Sequence, residues 1–322
     1  MAILRSRRLS RARISVLICS ASFSLFSSTL RSQTADVDRA QLLRTQADTR
    51  TDSSTSPEGG EEEYGGSPND PDLGKQQILR RQERYQPFTF SVGAPFYYTS
   101  NAALTRGNEQ GDFLVAPQAS FTYQPRLAQA LYAFVSVQQQ MFYYERFSDL
   151  NFGSFDARAG LVYYLPRLHD LTLRAGYEYN RLTFENSIED EFFSNHSFFF
   201  SAEVPFRFGK AIQLSVGFDA NVSVSADPEP PRRNDYDVFV GFDAQLTREL
   251  SFDAVARLAV RDYSVGDRTD VGEMLALSLN YRLTKWITLS AISTFAANQS
   301  DQSAFDYTVV NVGGALAFTW RF

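Results

Sequence analysis

The chain has 322 residues, of which 43% are hydrophobic, a fraction too low for a helical membrane protein. Its formal net charge of -6 argues against nucleic-acid binding, because nucleic-acid-binding proteins usually carry a basic surface. With a single cysteine, the chain can form neither an internal disulfide nor a metal site built from several thiolates.

A secretory signal is predicted at the N-terminus. Five arginines between positions 5 and 13 precede a short apolar segment at positions 14–26, which is diluted by serine and alanine. A membrane-spanning helix needs ~20 mostly apolar residues, so this segment is short for an anchor. The order of basic region, apolar core and small residues is typical of a cleaved signal. We therefore expect residues 1–35 to be removed during export, together with Cys19.

Residues 36–86 are predicted to form a disordered periplasmic linker. Positions 49–71 are polar and acidic, and such a composition buries too little apolar surface to order itself. Two pieces have helical patterns, at positions 38–49 and 75–85, and the second carries Arg80, Arg81 and Arg84. Isolated helices of this length are marginal in water, so one interpretation is a transient helix on a solvated tail. The alternative is a plug whose arginines are attracted by acidic groups inside a barrel.

A period-two pattern runs from Pro87 to the end of the chain. Segments of alternating polarity are separated by turn residues, and one parity of each segment is apolar or aromatic. This pattern is typical of membrane barrels, in which lipid-facing and lumen-facing residues alternate. We therefore predict an all-β fold for residues 87–322, a transmembrane antiparallel up-and-down β-barrel of about twelve strands.

The predicted connections alternate between tight turns and longer polar segments. Tight connections are expected at 124–129, 166–170, 208–211, 247–249 and 284–285. Longer ones are expected at 101–111, 145–151, 181–193, 226–235, 262–270 and 298–305. Outer-membrane barrels have short periplasmic turns and longer extracellular loops. The alternation therefore predicts an even number of strands, with the N- and C-termini of the barrel in the periplasm.

The last strand carries a pattern found at the C-terminus of bacterial outer-membrane barrels. Asn311, Gly313, Leu316 and Phe318 have the spacing of the signal that the barrel-assembly machinery reads, and the chain ends on Phe322. The chain therefore resembles the bacterial outer-membrane β-barrel superfamily, and residues 96–101 look like the first strand of uncharacterised porin-type barrels. This resemblance implies a location in the bacterial outer membrane. The implied partners are outer-membrane lipid, lipopolysaccharide and the assembly machinery, while the oligomeric state stays open.

The function of the barrel depends on the residues that alternate with the lipid-facing ones and that are predicted to face the lumen. Acidic and basic side chains occupy these positions in equal number: Asp156, Arg158, Arg174, Glu178, Glu203, Arg207, Asp219, Asp237, Asp243, Asp253, Arg257, Arg261, Arg282 and Arg321. Strands near the N-terminus carry neutral polar residues there instead. Tyr143 and Tyr144 are interpreted as part of the aromatic girdle at the outer interface.

Two functions fit this lining. Opposed charges can set the solute preference of a water-filled channel, and a barrel of about twelve strands lies between filled eight-stranded barrels and sixteen-stranded porins. We therefore favour a narrow passive channel for small polar or charged solutes. The alternative is a non-conducting structural or adhesive barrel whose lumen is filled by salt bridges, because opposite charges on adjacent strands also pair well.

An enzyme is the least favoured function. Outer-membrane phospholipases resemble this chain in barrel size and use a histidine, a serine two residues later and an asparagine on a neighbouring strand. His196 lies in outward parity near a strand end, but position 198 is Phe198, and His169 lies in a tight turn. The acidic run at 189–191 lacks the ligand spacing of a calcium loop. We expect no catalytic residues, no cofactor and no metal site.

Overall fold

The structure, a computed structural model, describes residues 34–44, 85–184, 190–209 and 211–322. Within these ranges there are thirteen β-strands and one α-helix, α1, formed by residues 34–44. No helix in the described part of the chain is long and apolar enough to cross a membrane.

All thirteen strands belong to one antiparallel sheet. In chain order they are β1 (Phe88–Thr99), β2 (Asp112–Val115), β3 (Gln118–Tyr123), β4 (Leu131–Tyr144), β5 (Phe152–Leu165), β6 (Leu171–Phe184), β7 (Glu191–Phe208), β8 (Ile212–Asp227), β9 (Arg233–Gln245), β10 (Leu250–Tyr263), β11 (Thr269–Arg282), β12 (Ile287–Ser300) and β13 (Tyr307–Arg321).

The sheet closes into a barrel of twelve strands. β2 and β3 share one register against β1 and one against β4, and they are separated only at Ala116 and Pro117. They therefore act as a single barrel strand. Pairing of β1 with β13 completes the ring, so no strand edge is left open. The predicted all-β antiparallel barrel and its strand number are confirmed, whereas the periplasmic location of the termini stays a prediction.

The outer surface of the barrel is apolar. Side chains of the predicted lipid-facing parity are exposed, as Phe96 (54%), Val238 (52%) and Leu316 (53%) illustrate for three different strands. In water such a continuous apolar belt would drive aggregation, whereas lipid solvates it. The alternation of apolar and polar residues in the sequence therefore correctly predicts which side chains of these strands face outwards and which face the lumen.

The two ends of the barrel differ in their connections. We call the end that carries the connection between β1 and β2 the loop end, and the opposite end, where β1 begins and β13 finishes, the turn end. At the loop end the strands continue further than expected, so that the predicted loop at 226–235 shrinks to the segment between Asp227 and Arg233. The strands extend beyond the apolar belt because backbone hydrogen bonding between strands does not require side chains of alternating polarity. Polar strand ends therefore give no hydropathy pattern by which their length could be predicted.

Two register shifts interrupt the ladder near the loop end. One lies between β6 and β7 at Leu182 and Thr183, and the other between β7 and β8 at His196 and Ser197. At the second shift Val224 is the extra residue, so the inward parity of β8 changes and Ala226 packs inside the barrel. A β-bulge of this kind re-aims the side chains that follow it.

Candidate functional site

The two halves of the lumen are lined differently. In the turn-end half many inward side chains are polar and partly exposed, among them Thr89, Ser91, Thr122, Glu203, Asp243 and Ser290, although Phe134 and Phe199 also face inwards there. In the loop-end half they form a buried apolar core inside the barrel, with Tyr97, Leu114, Phe142, Phe152, Leu182 and Phe193. Apolar side chains that face a lumen need a cover that excludes water. Helix α1 provides this cover.

α1 lies inside the loop-end half of the lumen. Val37, Ala40 and Leu43 fall on one face of the helix because they are three residues apart, and they pack into the apolar core. Leu42 packs on the other side against a second apolar cluster formed by β11, β12 and β13. Ala40 is fully buried, so the helix approaches the wall closely at this position.

The C-terminal end of α1 is held by an ion-pair network deep in the lumen. Arg44 is buried and contacts the carboxylates of Asp156 on β5 and Glu178 on β6, the latter at 2.6 Å. Glu178 also accepts a hydrogen bond from Arg158 Nε at 3.1 Å. Nearby, Gln41 Nε2 donates to Asn180 Oδ1 at 3.2 Å. Three of the predicted lumen residues therefore lie together, and α1 contributes the cation that joins them.

The N-terminal half of α1 is held at the loop-end rim through Asp38. Its carboxylate accepts bonds from Arg233 Nη1 (2.6 Å), Tyr263 Oη (2.6 Å) and Arg268 Nη2 (2.9 Å), which belong to three neighbouring segments of the wall. Arg268 also pairs with Asp270. Burial lowers the pKa of Arg268, but its bond to Asp270 and the charge of Asp38 outweigh burial, so the pKa is raised and the group stays charged.

An aromatic contact adds to the binding of α1. The Arg39 guanidinium lies 6.0 Å from the ring centre of Tyr144 and 5.9 Å from that of Phe152. Tyr144 is buried inside the barrel, so its interpretation as a girdle residue is wrong, whereas Tyr143 keeps the outward parity. The register explains the difference, since consecutive residues of a strand point to opposite faces.

The remaining predicted lumen charges form two groups. On β8, β9 and β10, Arg257 Nη1 lies 3.1 Å from Asp219 and 3.6 Å from Asp237, so one cation serves two carboxylates. Arg261, further towards the loop end, donates to Asn298. In the turn-end half lie Arg174, Glu203, Arg207, Asp243, Asp253, Arg282 and Arg321, with Asp243 directly opposite Asp253 in the register of β9 and β10. Whether these positions serve a solute stays a prediction.

A cavity of about 310 Å³ lies in the lumen beside α1. Its walls include the ion-paired residues at the end of α1 and those around Arg257, namely Arg44, Asp156, Arg158, Glu178, Asp219, Asp237 and Arg257. They also include Phe134 and Phe199, two inward-facing phenylalanines that are not among the predicted site residues. The signal was present, because Phe199 lies at lumen parity between the polar positions Ser197 and Ser201, and Phe134 has the lumen parity of Ser136.

The residues of the predicted assembly signal lie on β13. Asn311 and Gly313 have lumen parity, while Leu316 and Phe318 face outwards. Phe322 follows the strand, and its backbone exchanges two hydrogen bonds with Phe88, at 3.0 and 3.1 Å. The terminal residue therefore takes part in the closure of the barrel, and its role in assembly stays a prediction.

The two histidines lie away from the lumen network. His196 is on the outer face of β7, where its Nδ1 contacts the hydroxyl of Tyr177 and its ring lies 4.9 Å from that of Tyr179. His169 closes the turn after β5 with a positive φ of 55°. Among the residues that the structure describes, no group of three or more histidine, cysteine, aspartate or glutamate side chains is arranged to hold a metal ion.

The helix that enters the lumen is the first of the two predicted helical pieces. The described helix covers 34–44 and so includes two positions assigned to the signal and the start of the predicted linker, while positions 45–49 of the predicted piece lie outside the described residues. Most of the second piece, including Arg80, Arg81 and Arg84, lies outside the described residues. The plug was predicted to be attracted to acidic lumen groups through these three arginines. An arginine does pair with a lumen carboxylate, but it is Arg44 of the first piece. The domain boundaries at 35 and 86 stay predictions.

The comparisons with known proteins define the class of fold. No protein-family model and no curated protein sequence matches the chain. Among solved structures, the chain is similar to an outer membrane channel from Pseudomonas putida F1, with 10% identity, a TM-score of 0.50, and coverage of 74% of this chain and 97% of the channel.

Two further structures are similar at lower scores. The NanC porin has 11% identity and a TM-score of 0.42, with 70% of this chain and 98% of the porin covered. Outer membrane phospholipase A from Escherichia coli has 13% identity and a TM-score of 0.43, with coverage of 71% and 95%. The fold of this chain is that of the outer-membrane β-barrel proteins. At this level of identity the likeness concerns the fold alone.

Proposed function

We propose that the protein is a channel of the bacterial outer membrane for small polar or charged solutes, and that α1 closes its loop end. The observation that carries the proposal is the division of the lumen. A turn-end half that carries many polar side chains leads to a cavity of about 310 Å³, and beyond this cavity the lumen is filled by α1 and the core around it. A lumen built only to be filled has no need for a cavity lined with charges.

The way in which α1 is attached supports a closing role. Its contacts to the wall combine apolar packing with ion pairs at Asp38 and Arg44. The helix forms no part of the β-sheet that makes the barrel. The twelve-stranded ring closes through β1 and β13 without it. Displacement of α1 therefore leaves the membrane-spanning structure intact, which is what a removable plug requires.

Planar-bilayer conductance tests the proposal. We compare the full chain with a deletion of residues 36–86 and with the double variant Asp38→Asn, Arg44→Gln, which keeps the chain length. We expect rare, small steps from the full chain and frequent larger steps from both altered proteins. Equal conductance of all three would refute the closing role of α1. Silence of all three, despite a folded barrel by heat-modifiable electrophoresis, would refute the channel.

A non-conducting barrel is the second candidate, and the Arg44 network favours it. Buried charges that satisfy one another fill part of the lumen and leave fewer groups to interact with a passing solute. Silence of the deletion in the experiment above, with correct folding, is the result expected for this alternative. The predictions that the protein is exported through residues 1–35 and is not an enzyme are part of both proposals.

A further inference from the structure

The inner wall of the barrel carries two aromatic rings over a pair of glycines. Gly160 on β5 faces Gly176 on β6, and Phe134 and Phe199 flank this pair on β4 and β7. A Cβ atom at Gly160 would lie 3.0 Å from the ring of Phe134, and one at Gly176 would lie 2.8 Å from that of Phe199. Either Cβ atom would also lie 2.3 Å from a backbone oxygen of the neighbouring strand, so the glycines make room both for the close approach of β5 and β6 and for the rings, whose centroids are 6.0 Å apart.

Two arginines bracket this aromatic pair along the barrel axis. Counted from the glycine pair, Arg158 on β5 lies one inward position nearer the loop end. Arg174 on β6 lies one inward position nearer the turn end. Both line the same cavity as the rings. A guanidinium has five N–H donors in a fixed fork and binds carboxylates with two of them. The wall of β4 to β7 can therefore receive an aromatic or aliphatic group together with a carboxylate.

The adjoining wall, formed by β8, β9 and β10, has the opposite character. Asp219 and Asp237 share Arg257, so these three side chains carry one more negative than positive charge. All three line the cavity. The Arg257 guanidinium also lies over the ring of Phe239, 5.4 Å from its centre, where a cation is attracted to the ring. This wall attracts a cationic group.

We propose that the cavity binds a zwitterionic solute of amino-acid size that has an apolar or aromatic side chain. The side chain lies against Phe134 and Phe199, the carboxylate binds at the arginines, and the ammonium group faces Asp219 and Asp237. A volume of about 310 Å³ is at the small end of the range for ligand sites, ~300–1,000 Å³, and suits a single such molecule. The assignment rests on the proposed channel function, of which it names the solute class.

Equilibrium dialysis of the full chain in detergent micelles tests this assignment. The probes are phenylalanine, 3-phenylpropionate without the ammonium group, phenethylamine without the carboxylate, and glycine without the ring. We expect phenylalanine to bind tightest and each analogue to bind at least about tenfold more weakly, since each leaves a charged or apolar partner unused. An analogue that binds as tightly as phenylalanine, or no saturable binding of any probe, overturns the assignment.

Variants separate the two walls. Arg174→Gln is expected to weaken phenylalanine and 3-phenylpropionate but not phenethylamine, whereas Asp219→Asn is expected to weaken phenylalanine and phenethylamine but not 3-phenylpropionate. Phe134→Leu with Phe199→Leu keeps both wall positions apolar but removes the rings, and is expected to lower the preference for phenylalanine over leucine. Arg167→Gln in the exposed turn after β5 is the matched control. Equal effects of the two charge variants on all probes contradict the proposed orientation.

The binding measurement is independent of conductance. Because the full chain is used, α1 is in place and no current is needed. A barrel that conducts after deletion of residues 36–86 but binds no probe refutes the solute class and leaves the channel. A barrel that binds phenylalanine but never conducts refutes the channel and leaves a ligand site.

Discussion

Single charged side chains decide how firmly α1 is held. Arg44 and Asp38 are both buried, and each has at least two partners of opposite charge on the barrel wall. Removing one member of a buried pair leaves an uncompensated charge, which costs about 3–5 kcal/mol. An exposed pair such as that of Arg106 and Asp306 contributes far less.

Arg44→Gln is therefore expected to loosen α1. Asp156 loses its ion-pair partner on the helix, and a cost of about 3 kcal/mol corresponds to about a hundredfold rise in the open population. The readout is the rate at which deuterium labels the backbone amides of α1. Arg106→Gln is the control. Equal labelling rates in the two variants would contradict a structural role for Arg44.

Gly313 is needed for closure of the barrel. It pairs with Tyr97 across the seam between β1 and β13, and a Cβ atom there would lie 1.9 Å from the backbone oxygen of Phe96. Gly313→Ala is expected to cost at least about 1–3 kcal/mol, the usual penalty for overpacking, and to reduce the heat-modifiable folded fraction in lipid vesicles. Gly107→Ala, which meets nothing within 4 Å, should fold like the parent.

At the scale of elements, α1 and the apolar core around it form one unit. Val37 and Leu43 are almost completely buried against wall residues of several strands. A helix of this length has little stability of its own in water, so its order depends on this packing. The core in turn would be exposed to the lumen without the helix.

Val37→Ala combined with Leu43→Ala is expected to release the helix without opening the barrel. Truncation of a buried leucine costs about 2–5 kcal/mol, so amides of α1 should exchange with deuterium much faster while those of the strands keep their protection. Leu127→Ala, at a position that is 56% exposed, is the control. Faster exchange in all the strands would mean that the helix supports the whole barrel.

Strand positions could be predicted from the sequence because lipid imposes a strict alternation on one face. Strand β4 shows where alternating polarity predicts the inward and outward faces and where it does not. Val135 and Val137 alternate with polar residues, but from Met141 to Tyr144 both parities are apolar or aromatic. Apolar residues on both faces indicate that both faces are covered, and here the inner cover is α1. The sequence therefore contained a signal for the plug, but only contact with the helix explains it.

The lumen charges could be located, but their partners could not. Parity places Asp156 and Glu178 inside the barrel, whereas Arg44 and Asp38 lie more than a hundred positions away from the residues they bind. Pairing over such distances depends on the three-dimensional position of the helix and has no local pattern. For the same reason Arg233 and Arg268, at the loop-end rim, were not among the predicted site residues.

At the scale of the whole molecule, the two ends of the barrel chain meet at Phe88 and Phe322. Their rings lie 5.3 Å apart and their backbones exchange two hydrogen bonds. A stacked aromatic pair contributes about 0.5–1.5 kcal/mol beyond its buried area. The terminal residue therefore stabilises the contact between the last strand and the first, where the barrel closes.

Phe322→Ala is expected to slow closure more than it destabilises the closed barrel. The rate at which the heat-modifiable form appears after dilution of unfolded protein into lipid vesicles measures this step. Phe208→Ala, an exposed phenylalanine at the same end of the barrel, is the control for loss of lipid contact. Similar rates in both variants would show that contact with lipid, rather than the contact with Phe88, is what Phe322 provides.

Because α1 belongs to the same chain as the wall that it contacts, it behaves as a tethered ligand. Segments joined by a linker reach effective concentrations of up to about millimolar at their binding site. Any free molecule that competes for the loop-end core must overcome this local concentration, even if its own contacts are as good. A barrel without the helix should therefore accept a free peptide with the sequence of residues 34–44 far more readily than the full chain does.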